Sequence, residues 1–195
     1  MSRHQVISEV SNTLRTVLWH AFETGNTNGV SLSSEVGSRE AIRLSNPTEV
    51  IREHTGKFSL WLYNLWENEF LRNIGEPSPQ PPPLTLTLRF MLTAITNDTN
   101  MDQILLGRAM EAFHSRPTIM VPAGKDTDGT PISEEISLKL MRLTLEDMSR
   151  IWDALSEPYR LSVCYEVRGV CVHAGNEPAA EPVTGRFEGA RRRAS

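Results

Sequence analysis

Reactive chemistry in this chain has few places to be. Its five histidines are His4, His20, His54, His114 and His173. No two lie three or four residues apart, so no helical metal-binding pair exists. Cys171 and His173 would share one face of a strand and could offer two ligands, but no second recognisable pair completes a site. The stretch GKDTDGTPISEE comes nearest to a calcium loop. With Gly129 set at the invariant loop glycine, Asp126, Asp128 and Glu135 fall at ligand positions. Gly124 then stands where the first carboxylate is required, Pro131 interrupts the strand-like segment, and no helix leads in. The stretch reads as a tight Asp-Gly turn.

Acidic pairs occur at Glu134-Glu135 and Glu146-Asp147, at a strand start and a helix N-terminus. At the helix the carboxylates complement the positive end of the dipole, which is a structural task. There is no nucleophile elbow, phosphate-binding glycine loop, His-Glu-x-x-His or dinucleotide fingerprint. The expected catalytic, cofactor and metal residues are therefore none. The terminal RRRAS, with Arg191, Arg192 and Arg193, is locally basic and suited to phosphate or to an acidic partner surface. Trp19, Trp61, Trp66 and Trp152 sit on expected helix or strand faces, as core or interface residues.

The elements that would carry these residues are legible in the hydrophobic pattern. Val6, Val10, Leu14, Val17, Leu18 and Phe22 recur at helical spacing, and TGNTNG stops that helix. A short strand is expected around EAIRLS, then a turn at Asn46-Pro47. KFSLWLYNLWEN, residues 57–68, has apolar residues on both parities, as in a strand covered on both faces. PSPQPPP, residues 77–83, cannot join a sheet interior and reads as a stiff connector. LTLTLRFMLTAI follows as the longest strand. Its Leu84, Leu86, Leu88, Phe90, Leu92 and Ala94 make an apolar face, while Thr85, Thr87, Arg89 and Thr93 make a polar one. That polar face is expected to be partly covered, or covered by another subunit.

NMDQILLGRAMEAFHSRP is the second long helix, stopped before Pro117. A short strand over 118–121 and an alternating one in EISLKLMRL come next. Thr144 and Asp147 form an N-terminal cap for a helix whose stripe is Leu145, Met148, Ile151, Trp152 and Leu155. RLSVCYEVRGVCV closes the set. Cys164 and Cys171 are seven residues apart, which places them on opposite faces of an unbroken strand and over ~20 Å apart. They cannot bridge within it, as two free thiols in a reducing compartment would not. The expected fold is α+β, a mainly antiparallel sheet with helices packed on one face. Residues 1–173 would form one domain, with the 77–83 connector inside it, and 174–195 a flexible basic tail.

The 195 residues carry a net charge of −4, which gives the whole molecule no electrostatic case for nucleic acid. No apolar run reaches the roughly 18 residues of a membrane span. MSRHQVISEV lacks the apolar core of a secretory signal, so the expected compartment is the cytoplasm of the producing cell.

Three pieces, in this order, resemble a known family. They are KFSLWLYNLWENEFLRN, the proline connector leading into LTLTLRFMLTAIT, and SLKLMRLTLEDMSRIWDAL followed by YRLSVCYEVRGV. Together they are similar to the N-terminal domain of cap, or tail-terminator, proteins of extracellular contractile injection systems. These are the phage-tail-like particles of the antifeeding-prophage and virulence-cassette type. The resemblance implies a sixfold ring at the baseplate-distal end of the particle, partnered by the inner tube and the contractile sheath, and released with the particle. It implies no enzyme and no cofactor. Thr87, Arg89 and Thr93 are then candidates for ring contacts, with Arg191, Arg192 and Arg193 as a strap across a neighbour. The alternatives are a terminator or connector of an ordinary phage tail, a small ligand-binding domain or enzyme, and nucleic-acid binding through the tail.

Overall fold

The computed structural model describes residues 5–27, 29–68, 83–125 and 130–172. The connector from 77 to 82, the Asp126–Gly129 turn, His173 and the tail with Arg191, Arg192 and Arg193 lie outside the described residues.

Helix α1 (Val6–Thr24) leads into a small antiparallel pair, β1 (Asn26–Thr27) and β2 (Val30–Ser31). Two short helices follow, α2 (Leu32–Val36) and α3 (Pro47–Glu53), on either side of β3 (Ile42–Arg43). The rest is β4 (Phe58–Glu67), β5 (Leu84–Ala94), α4 (Thr99–His114), β6 (Thr118–Lys125), β7 (Pro131–Leu140), α5 (Leu145–Leu155) and β8 (Ser162–Val172). The main sheet runs β3-β4-β5-β8-β7-β6. Every neighbouring pair is antiparallel except β3–β4, which is parallel. The last strand thus inserts between β5 and β7, closing the sheet through its centre.

Local chemistry explains most boundaries. Thr144 and Asp147 form a complete capping box: the Asp147 amide donates to Thr144 Oγ1 at 3.1 Å, and the Thr144 amide to Asp147 Oδ2 at 3.1 Å. The Thr144 hydroxyl, donating to Asp147 Oδ2 at 2.7 Å, and the Thr144 amide hold the Asp147 carboxyl below its ordinary pKa. The expected turn at Asn46-Pro47 is instead the start of α3. Asn46 Oδ1 accepts from the Glu49 amide at 2.9 Å, and Pro47 takes the first helical position, where its missing N–H costs nothing. His54 closes that helix in the left-handed region at φ 50°.

The first face of the sheet is the main core. Leu86, Leu88, Phe90, Leu92 and Ala94 of β5 pack with Val6, Val10, Leu14, Leu18 and Phe22 of α1 and Leu105, Ala109 and Phe113 of α4. Phe22 meets Phe58 edge-on at 5.5 Å, and Phe113 meets Tyr165 at 5.0 Å. The expected α+β sheet is present, and α1, α2 and α4 share its first face. Helix α5 lies on the other face, where Met148 and Trp152 pack on Met91 and Cys164, with Trp61 and Tyr63 beside them. Met91 and Cys164 are cross-strand partners on the face taken as polar, and their apolar surface holds the helix there. Leu145, expected in the buried stripe of α5, is 69% exposed. Helical periodicity puts it on the right side without saying how far the sheet extends beneath.

Three register shifts interrupt the main sheet among the described residues, and the one in β8 overturns an expectation. Between the pairs Leu86↔Val170 and Thr87↔Arg168, Gly169 is the unpaired extra residue, at φ 87°. Val167 and Val170 therefore both enter the first core although three residues separate them. Cys164 and Cys171, expected on opposite faces, share the second face: Cys164 opposes Met91 and Cys171 opposes Thr85. No disulfide joins them. In β4 the register shifts between Leu62 and Asn64, which brings Leu65 opposite Leu88 and Trp66 opposite Thr87. That strand is buried at Phe58, Ser59 and Leu60 and opens towards Leu65, so only its first part is covered on both faces.

Candidate functional site

The candidate contact residues of β5 lie on the second face, where α5 covers one end of the strand and not the other. Thr93, at the covered end, is fully buried, and its hydroxyl bonds Ser162 Oγ at 2.9 Å. Thr87 is also buried, at 2% exposure. Both threonines are thus buried within the subunit in this conformation. A period-two pattern shows which side of a strand a residue takes but not what lies over it.

Arg89 is different. Its side chain keeps about a third of its surface (32%) and sits in a cluster of long polar residues. The guanidinium carbon stacks 4.2 Å from the centre of the Trp66 ring, a cation–π contact. Nη2 lies 3.4 Å from Glu166 Oε2. Glu166 is the cross-strand partner of Arg89 on one side and of Lys139 on the other. Its side chain is 9% exposed and also accepts from Arg168 Nε at 2.6 Å. One nearly buried carboxylate therefore organises two guanidiniums, with Lys139 in register. The ensemble Arg89, Arg168, Lys139 and Glu166 carries a net charge of +2 on a protein of net −4. Arg89 Nε is buried and makes no hydrogen bond among the described residues. A positive, partly exposed patch on rigid strands, with a tryptophan beneath it, is suited to meeting an acidic surface.

Above the patch, the thiol of Cys164 is pushed up to about 11 by burial, so it stays protonated and unreactive at neutral pH. Burial likewise raises the Tyr63 hydroxyl well above its ordinary value. Neither is a nucleophile in waiting. Among the described residues, no three His, Cys, Asp or Glu side chains converge as a metal site. No described helix is long and apolar enough to cross a membrane. The sequence pattern singled out Arg89 but not its partners. Glu166 and Arg168 were legible only as two charges in the last strand, and Trp66 as one more aromatic residue.

Solved structures that share this fold include two from contractile particles. One is the sheath/tube terminator of an extracellular contractile injection system, PVC, in its extended state. It matches with a TM-score of 0.55 at 16% identity, over 97% of this chain and 64% of that one. The other is the anti-feeding prophage cap, a tube-terminating cap. Its TM-score is 0.57 at 15% identity, over 94% of this chain and 60% of that one. The chain spans less than two thirds of the length of either relative. No curated protein matches it. Residues 9–186 match the family described as the Pvc16 N-terminal domain. That match covers most of the chain, which therefore belongs to the Pvc16 N-terminal domain family.

Proposed function

We propose that this chain is a structural terminator: a ring-forming block that ends the inner tube of a contractile injection particle and secures the distal end of its sheath. The observation that carries the reading is family membership over residues 9–186. The terminator fold across nearly the whole chain supports it. The internal design agrees. Two packed faces, a capped connecting helix and a strand inserted through the sheet make a stiff body. An assembly block uses such a body by meeting its neighbours along fixed surfaces.

In this reading the ring is sixfold, forms in the cytoplasm of the producing bacterium, and leaves with the particle. Its partners are further copies of itself, the tube protein and the sheath protein, with no enzymatic step and no cofactor. Residues 1–173 are the ring-forming domain and 174–195 a basic tail. Arg89, backed by Arg168 and Lys139, is the contact residue on the sheet, and Arg191, Arg192 and Arg193 strap a neighbour. Thr87 and Thr93 serve by holding β5 in place.

The test is electron microscopy of particles from a strain lacking the gene. Overlong or ragged particles, restored to uniform length by the intact gene, are expected. Particles of normal length with a normal distal end would overturn the reading. Arg89→Gln is the variant for the contact, since it removes the charge without setting a second carboxylate against Glu166. Unaltered ring assembly in that variant would remove Arg89 from the interface.

A further inference from the structure

The main sheet has two open margins, one at each end. Strand β6 is the last strand on one side, and among the described residues none pairs with its outer edge. The Leu138 amide donates to the Pro117 carbonyl at 2.8 Å, which fixes the alternation of the ladder. Ile119 and Val121 therefore bond to β7, while Thr118, Met120 and Pro122 turn their backbone groups outward. A proline fits there because its missing N–H costs no ladder bond. At the other margin β3 covers only Phe58 and Ser59 of β4, and nothing described pairs with β4 beyond them. The Ile95 amide donates to the Lys57 carbonyl and the Asn68 amide to the Thr85 carbonyl, so Leu62 and Leu65 face outward. Each margin also carries an exposed apolar side chain, Met120 at 57% and Leu65 at 47%. Open strand edges with apolar flanks are where a sheet gains strands.

We infer that neighbouring copies join margin to margin, β6 of one copy lying along β4 of the next, so that one sheet runs from subunit to subunit. The inference rests on the ring proposed above and names the contact that builds it. Two different margins at opposite ends of one sheet make a head-to-tail joint, which a ring requires, whereas a two-fold dimer would pair like with like. Strands β4, β8 and β6 run one way and β5 and β7 the other, so the joint sets β6 parallel to β4. Strand β3 already lies parallel to β4 on that edge, and the incoming strand continues the position where β3 stops. Side chains agree on the second face. Met120 stands opposite Glu135, and Trp66 opposite Thr87. Joined, the Met120 thioether meets the Trp66 indole, a favourable sulfur–aromatic contact. Glu135 is exposed, and its strand lies two spacings, about 10 Å, from the β4 that holds Trp66 and the Arg89 guanidinium stacked on it. Opposite charges attract over about that distance at physiological salt.

The experiment uses assembled particles from a producing strain, with p-benzoylphenylalanine in place of Leu65 in the full chain. Irradiation is expected to give a band at twice the chain mass, and digestion with mass spectrometry to place the cross-links on residues 117–123 of the second copy. Met120→Pro removes one outward amide and no bond to β7. It is expected to lower the yield about tenfold, the worth of one hydrogen bond, at an unchanged urea midpoint of the purified chain. Glu135→Lys, at an exposed position, is expected to lower it about threefold. Cross-links within one chain or elsewhere on a second copy, a yield indifferent to both variants, or a lowered midpoint in Met120→Pro would overturn the inference and leave the terminator reading standing. Particles of normal length and end structure that hold no copy of the chain would overturn both.

Discussion

Gly169 is the residue on which the central sheet turns, and replacing it with alanine tests that directly. Two penalties act there together. At φ 87° the backbone is left-handed, which costs an L-residue about 1–2 kcal/mol. A Cβ at that position would also lie 3.1 Å from the Glu135 carbonyl oxygen, a backbone atom of β7 that cannot swing aside. The contact adds about 1 kcal/mol, giving roughly 2–3 kcal/mol in all. Gly29→Ala is the internal control. Its φ is 82°, but nothing lies within 4 Å of the added carbon, so only the conformational cost of about 1–2 kcal/mol applies. Urea unfolding followed by tryptophan fluorescence gives both values from shifts in midpoint at constant slope. If Gly169→Ala costs no more than Gly29→Ala, the close approach of β7 is not real. If both lie within about 0.5 kcal/mol of wild type, the left-handed bulge itself is refuted. Deleting Gly169 is harsher. It would return residues 170–172 to unbroken alternation and turn the fully buried Val170 out of the core, so no cooperatively folded protein is expected.

Three other predictions concern the second face and its helix. Trp152→Ala, removing the 1%-exposed anchor of α5, should cost about 3–5 kcal/mol in the same urea assay, and a loss below 1 kcal/mol would show that α5 is not held there. Thr144→Ala removes the cap of that helix and should cost about 1 kcal/mol at neutral pH. The Asp147 carboxyl is held low in the folded state, so its share of stability is present above the unfolded pKa and is lost as pH falls through the folded one. Thr144→Ala should therefore flatten the acid limb of a stability–pH curve. Cys164 works in the opposite direction. Its thiol rises from 9.0 to about 11, so the unfolded chain ionises first and stability falls with a slope of up to about 1.4 kcal/mol per pH unit between pH 9 and 11. Cys164→Val should reduce that slope, and a thiol reagent at pH 8 should label Cys171 well before Cys164.

Several of these elements could be read from the residues alone because the information that sets them is local. The stripe from Val6 to Phe22, the Thr144–Asp147 cap and the alternation from Leu84 to Ala94 each need only neighbours within a turn or a pleat. Asn46-Pro47 shows the limit even of local signals. The same two residues open a turn or a helix, and only the bond from the Glu49 amide decides for the helix.

What the tertiary structure decided is everything that depends on a second segment. The bulge at Gly169 needs β5 opposite to define it, and with it went the assignment of Cys171 to a face. The burial of Thr87 and Thr93 and the seating of α5 on Met91 arise from residues some 60 to 80 positions away. The Arg89–Glu166 pair does too, because a strand's own alternation carries no record of which strand will lie beside it. The sequence by itself determined the parts and their handed faces. Which face met helix, solvent or neighbour was settled only when the last strand entered the middle of the sheet.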